Sequence, residues 1–434
     1  MGKYVDVGVG FSENKDGFKA AKEAAAAAVK EFKGKPPTIS YVFFSGDYDV
    51  EKLNKGLLDV LKGSEFIGGS TDAVYFNEKV SRNGVVVASI KSDYLHVGIA
   101  SIDNVSSDPY GVARKAISDS LSKLPVDKYV DPYIQFKRMQ KGSIKWMLKL
   151  PSFFVTVLMR GMKMPKMGDE TKMIKGIAEE IGLNVPIWGG ALGTHLEKVF
   201  SGKPYEIYVL HSGKILKDGI VIAVNSCSLV YGQSLDHGVT RTSTLGSITG
   251  VAADGYVVTS ISGMNPVDWY AKSIKVSKEE FMKNAITLSQ AHPLGVPDNY
   301  GGWIVRAGSV PVMDGKALAF TAPFVEGWPI YVMDASPEKL LSSSKAIKAD
   351  IDDYNQAARD PQMLLAGLCA SRRAIMGDGI TKELKELRKV FKNAPMVGWS
   401  CFSEIGAKRG KPPACQHLCA NVFALYDELL YELK

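Results

Sequence analysis

One pattern recurs along this 434-residue chain: an apolar strand, a helix, and a second strand that runs into glycine. The first copy is Ile39 to Phe44, a helix spaced by Leu53, Leu57, Leu58 and Leu61 and stopped by Gly63, then Phe66-Ile67-Gly68-Gly69-Ser70-Thr71. The second is Phe153 to Leu158, Glu170 to Ile181, then Pro186-Ile187-Trp188-Gly189-Gly190-Ala191. A partial third copy closes the chain with Met363 to Leu368, Thr381 to Phe391, then Pro395-Met396-Val397-Gly398-Trp399-Ser400. Repetition on this scale limits the chain to folds in which one supersecondary unit packs against copies of itself. At each strand end, glycine and a small residue present backbone with little side chain, so another backbone or a ligand can approach closely. Tight strand packing serves as the other reading of the same glycines.

Around the repeats, Val5, Val7 and Val9 alternate as a first strand and Phe18 to Phe32 forms an Ala-rich helix. Gly84 to Ile90 and Leu95 to Ser101 are strands, and Glu206 to His211 with Ile220 to Val224 is a hairpin-like pair. We place a domain boundary near Asn225, giving domains 1–225 and 226–434. Short strands follow, then a helix over Val276 to Gln290, strands at Trp303 to Ala307, Ala317 to Thr321 and Ile330 to Met333, and helices over Leu340 to Ala358 and Asn421 to Lys434. The fold class is therefore mixed α/β, as two mixed-sheet domains.

A charge of +7 is spread over the chain with acidic and basic residues interspersed, which gives nucleic-acid binding no support. The exception is Asp131 to Asp169, which has no acidic residue between its ends. Its basic, Met-rich part, 137–167, is an expected peripheral contact with an anionic membrane or acidic partner, or else a solvated insertion. The amino terminus lacks a signal-peptide pattern, and the purest apolar run, Pro151 to Met159, is shorter than the roughly 20 residues of a spanning helix. The five cysteines form an odd count without a disulfide framework. The expected location is the cytoplasm.

Nucleophile elbow, zinc-protease helix and phosphate loop are all missing, and Gly8-Val9-Gly10 lacks the third glycine of a dinucleotide fingerprint. No base, nucleophile and orienter set is visible, so the expectation leans away from an enzyme. Three charged residues are candidate ligand contacts. Arg306 could hold a carboxylate bidentately, while Glu326 and Glu404 stand beside glycines where an acid could meet an amine. With Gly68, Gly69, Ser70, Gly189 and Gly190 they form the expected ligand-binding set. Metal ligation would fall to Cys401, Cys415, His417 and Cys419, since Cys415, His417 and Cys419 alternate onto one face of a strand. A haem held by one His is a further alternative, although no cofactor is assigned.

Val7-Gly8-Val9-Gly10-Phe11-Ser12, the helix carrying Glu23, Phe66 to Thr71 and Pro186 to Ala191 resemble the amino-terminal half of FIST domains (F-box and intracellular signal transduction). Ile304-Val305-Arg306, Val325-Glu326-Gly327, the run Val397 to Gly406 and His417 resemble the carboxy-terminal half. The resemblance implies a cytoplasmic sensory module that binds a small ligand, such as an amino acid or small carboxylate, and serves signal transduction through an unidentified partner. It also implies one alternative, a haem-binding nitric oxide sensor; the residues themselves leave another, a cysteine/histidine metal-binding protein or enzyme centred on Cys401, Cys415, His417 and Cys419. Cys401-Phe402-Ser403 departs from the more usual glycine before the Glu, and the stretch from Lys137 to Met167 is an enlargement.

Overall fold

The computed structural model describes residues 3–125, 152–163, 168–183, 185–199, 201, 203–298, 300–355, 357–408 and 410–430. The basic stretch 137–167 lies mostly outside them.

Three units follow one plan. Unit one is β1 (Asp6–Ser12), α1 (Gly17–Val29), β2 (Ile39–Ser45), α2 (Val50–Leu61), β3 (Phe66–Thr71), the hairpin β4 (Val74–Phe76) and β5 (Lys79–Ser81), and β6 (Val85–Lys91). Unit two is β7 (Leu95–Ile102), α3 (Pro109–Ser122), β8 (Ser152–Arg160), α4 (Glu170–Ile181), β9 (Ile187–Leu192), a short α5 (Leu196–Val199), the hairpin β10 (Val209–His211) and β11 (Lys214–Leu216), and β12 (Ile220–Cys227). Unit three opens with β13 (Leu229–Asp236) and takes an insertion. That insertion comprises β14 (Thr240–Ala252), β15 (Val257–Ile261), α6 (Pro266–Ile274), α7 (Lys278–Ala291), β16 (Leu294–Pro297), β17 (Trp303–Arg306), β18 (Ser309–Val312), β19 (Ala317–Phe320) and β20 (Pro329–Asp334). The unit resumes through α8 (Pro337–Leu341), α9 (Ser343–Asn355), β21 (Pro361–Cys369), α10 (Ala370–Met376), α11 (Ile380–Val390), β22 (Met396–Cys401), the hairpin β23 (Glu404–Gly406) and β24 (Ala414–Gln416), and β25 (Ala420–Leu429).

The three sheets are ordered β1-β6-β2-β3-β10-β11, β7-β12-β8-β9-β23-β24 and β13-β25-β21-β22-β4-β5. In each, the two repeat strands are parallel and their flanking strands antiparallel. Each unit hands its hairpin to another unit's sheet. The first goes to the third sheet, the second to the first, and the third to the second, closing a cycle.

Alternation along the strands explains the packing. One set of side chains, including Phe43, Trp188, Trp399 and Phe423, meets in a core shared by all three sheets. The opposite set packs under helices in three outer cores, which is why these strands read as continuous apolar runs. The insertion forms a seven-stranded sheet with its own core around Trp269, Tyr270 and Phe281.

The mixed α/β class and the three-copy repeat hold. Asn225 falls inside β12, next to the junction of the second and third units at Ser228. Asn421 to Lys434 is corrected: its described part is the buried strand β25, paired on both sides. A short continuous apolar run does not distinguish a buried strand from a buried helix. Leu340 to Ala358 divides into α8 and α9. Among the described residues, no helix is long and apolar enough to cross a membrane.

Candidate functional site

The repeat glycines stand where strands cross. A Cβ on Gly68 would lie 1.7 Å from the Val42 carbonyl oxygen, one on Gly189 1.9 Å from that of Val157, and one on Gly398 2.4 Å from that of Ala366. These residues are equivalent in the three units, and each admits the carbonyl of its parallel neighbour. Gly69 lies against the Tyr208 carbonyl and Leu192, while Gly190 makes room for the Cys401 sulfur. Ser70 Oγ donates to Gly193 O at 2.8 Å and accepts from Tyr208 N at 2.9 Å. All five expected contacts in this set are buried in strand packing and none lines the cavity described below.

The chain changes sheet just beyond these strand ends, and polar side chains gather there. Asp72 is fully buried. Arg373 approaches its Oδ2 with Nε at 2.6 Å and Nη2 at 2.5 Å, and Leu196 N donates to Oδ1 at 3.2 Å. Arg82 Nη2 lies 3.4 Å from Oδ1 and donates to His195 Nδ1 at 3.0 Å. The His195 Nε2 lies 2.9 Å from Asp47 Oδ2. Burial alone would raise the Asp72 pKa, but His195, Arg373, the Leu196 amide and Arg82 outweigh it and hold the carboxylate below its usual range. The network ties β3, the turn before α5 and α10 together.

Beside it, between the three-unit core and the insertion, is a cavity of about 60 Å³. Its polar lining includes Gln290, Ser371, Thr321 and His417, and Cys369 and Cys401 also face it. Gln290 Nε2 donates to Ser371 Oγ at 2.9 Å. His417 Nδ1 accepts from Ala307 N at 3.1 Å, so its proton is on Nε2, 3.2 Å from Thr321 Oγ1. Burial and the neighbouring Arg306 push the His417 pKa down to about 3, which keeps the ring neutral.

Arg306 is buried, and its guanidinium donates to the carbonyls of Cys415 (3.0 Å), Val305 (3.3 Å) and Pro323 (3.5 Å). It makes no ion pair among the described residues. Glu404 is fully buried behind the cavity wall, beside the Cys369 and Cys401 thiols, where Oε2 accepts from Cys419 N at 3.1 Å and Oε1 has no hydrogen-bond partner of good geometry among the described residues. Burial raises its pKa well above the usual carboxylate range. Glu326 is exposed in the loop between β19 and β20, so the two glutamates and the arginine do not converge on one ligand.

The four metal candidates also separate. β24 ends at Gln416 and Leu418 takes a left-handed conformation (φ 61°), which breaks the alternation that would align Cys415, His417 and Cys419. Cys415 Sγ contacts Ser403 Oγ at 2.9 Å and Cys401 Sγ donates to Ser403 O at 3.1 Å. Among the described residues, no three His, Cys, Asp or Glu side chains are grouped to hold a metal ion. Nor do the residues here fit a haem. Both His417 nitrogens are engaged, and the cavity is far below the roughly 300 Å³ at which pockets for larger ligands begin.

Asp72, Arg82, His195, Gln290, Thr321, Ser371 and Arg373 are absent from the expected set. Asp72 and His195 could have been found from position, since each is a charged or ionisable residue one to three places beyond a repeat strand end.

The FIST N domain family matches residues 39–264 and the FIST C domain family residues 266–407. No curated protein matches. Solved structures from Thermotoga maritima give weak likenesses, each at 8% identity. PurL complexed with AMPPCP has a TM-score of 0.21 over 98% of this chain and 73% of its own. Phosphoribosylformylglycinamidine synthase II has 0.20 over 97% and 72%, and PurL complexed with FGAR has 0.22 over 97% and 73%. Likeness at that level carries no argument. The two domain matches run in order through most of the chain, including the repeat strands and all of the cavity wall but His417, and the chain belongs to the FIST family of sensory domains associated with signal transduction.

Proposed function

We propose that this FIST protein is a cytoplasmic sensor that binds a small carboxylate, or an amino acid of glycine or alanine size, in the cavity between its core and its insertion. The observation that carries this reading is Arg306, a buried guanidinium without an ion pair among the described residues, whose charge reaches the His417 ring in the cavity wall. Gln290, Ser371 and Thr321 add an amide and two hydroxyls for orientation. At roughly 10–15 Å³ per water, the cavity takes about four to six non-hydrogen atoms, the size of acetate through alanine.

The wall draws Met162 and Leu196 from the FIST N match and Gln290, Thr321 and Ser371 from the FIST C match. A ligand that bonds both sides favours one relative placement of the two, which is how binding becomes a signal. Five buried free cysteines accord with a reducing compartment. Binding without turnover is expected.

A thermal-shift comparison of acetate, propionate, glycine and alanine with acetamide tests the reading. Ligand at about 100 times its Kd stabilises the fold by about 2.7 kcal/mol. The carboxylates should raise Tm and acetamide should not. Equal shifts from acetamide, or none from any, would refute the role given to Arg306.

A further inference from the structure

The last register pair of the parallel strands β21 and β22 is Cys369 and Cys401. Alternation carries Met363 and Leu365 of β21, and Val397, Trp399 and Cys401 of β22, into the shared core, and Cys369 continues the first series. The two thiols therefore leave neighbouring strands on one side. Both are buried, both are free, and both line the cavity between the core and the insertion. Adjacent strands lie about 4.8 Å apart, and disulfides join Cα atoms about 4.4–6.8 Å apart. The backbone thus already stands at a separation that a disulfide spans. Cys369 has a second cysteine neighbour, since its amide donates to the Cys419 carbonyl at 3.0 Å, but Cys419 does not line the cavity.

The cavity decides what can reach the pair. At about 60 Å³ it admits a molecule of a few non-hydrogen atoms, such as hydrogen peroxide, and excludes a peptide disulfide such as oxidised glutathione. Burial pushes both thiols above their usual pKa range, so they meet an oxidant protonated and react slowly.

We infer that Cys369 and Cys401 are a modification site for hydrogen peroxide, closing to a disulfide in the cavity wall. One sulfur attacks a peroxide oxygen, the O–O bond breaks, and the S–H proton leaves with the departing hydroxide as water, which gives a sulfenic acid. The second sulfur attacks the first, an S–S bond forms, the S–O bond breaks, and the second S–H proton leaves with that hydroxide as water. The two sulfurs lose two electrons in all, and one peroxide is reduced to two waters. In the reduced state Cys401 Sγ donates to Ser403 O at 3.1 Å and to Ala191 O at 3.6 Å, where the third unit's hairpin joins β9. A disulfide has no proton to donate, so oxidation removes this anchor and reshapes the cavity wall beside it. The chemistry is the same whatever ligand the cavity takes, and the inference does not rest on the carboxylate reading.

The test treats the reduced, folded full chain with excess hydrogen peroxide, blocks the remaining thiols by alkylation, and maps peptides without reduction. The wild type should yield one linked pair of peptides, Cys369 with Cys401, lighter by two hydrogens than the two separate peptides. Oxidised glutathione at the same concentration should form that link at least about tenfold more slowly, because access limits exchange. Cys369→Ser and Cys401→Ser should each abolish the link and leave the surviving partner as a sulfenic acid that dimedone traps. Cys227→Ser should link as the wild type does. No link in the folded wild type, which requires no variant to observe, would overturn the inference. So would a Cys369–Cys419 link in its place, a disulfide retained in either serine variant, or equally fast oxidation by oxidised glutathione.

Discussion

Trp188 of the second unit meets Trp399 of the third edge to face, with ring centroids 5.4 Å apart, and Phe43 of the first unit stacks on Trp399 at 4.2 Å. One indole thus joins side chains from all three units in the shared core. Trp399→Ala would leave a void that three sheets must relax to fill. It should cost about 3–5 kcal/mol, read as a lower denaturant midpoint in equilibrium unfolding. A loss under 1 kcal/mol would show that the units do not depend on this contact.

The equivalence of Gly68, Gly189 and Gly398 gives a matched set. A methyl at each meets a neighbouring carbonyl oxygen at 1.7 to 2.4 Å, so backbone must shift. Each change to Ala should destabilise by about 1–3 kcal/mol or more. Gly379→Ala, whose nearest obstacle is 3.7 Å away, should stay within about 0.5 kcal/mol of wild type. Denaturant melts of the four variants check the ranking.

Asp72→Asn removes the carboxylate from Arg373 and should cost about 3–5 kcal/mol, because a partly buried guanidinium loses its partner. The folded pKa of Asp72 is lowered. Its stabilisation is therefore full above the unfolded value of about 4 and is lost as pH falls through the lower folded value. Melts from pH 7 to pH 2 should show wild type and variant converging only at the acid end. Convergence already at pH 6 would contradict the network.

His417 titrates in the same sense for another reason. Its folded pKa of about 3 lies below the unfolded value of about 6.5, so the unfolded chain takes up the proton first. The stabilisation is full above about pH 6.5 and is lost on acidification toward 3. Between pH 6.5 and 5 the wild type should lose about 1.7 kcal/mol more than His417→Gln. Parallel slopes for the two proteins would exclude a neutral buried His417.

The repeat was legible because each copy carries the same local signals, an apolar strand, leucines at helical spacing and a glycine where the next carbonyl comes close. The exchange of hairpins was not, since it is decided by pairings such as Gly69 with Val209 and Gly398 with Tyr75, which join residues far apart in sequence. The helix α6 was missed although Asn265-Pro266 is a cap followed by proline at the first helical position, where Asn265 accepts from Val267 N and Asp268 N. Arg306 and Glu404 were singled out as charges beside strand ends and are buried, but sequence spacing did not show that they point to different places. His417 is one of four candidate metal ligands in a reading that assigns no metal, and its ring nitrogens fasten the Ala307 amide and Thr321.

Whether the cavity takes a small carboxylate is the point on which the account turns. Isothermal titration of acetate and glycine into wild type and into Ala319→Val, which fills part of the cavity, addresses it directly. The account predicts saturable binding at one site per chain in the wild type and at least about tenfold weaker binding in the variant, as roughly 1.4 kcal/mol of lost fit would give. Binding of equal strength in both proteins, or no binding in either, would contradict it.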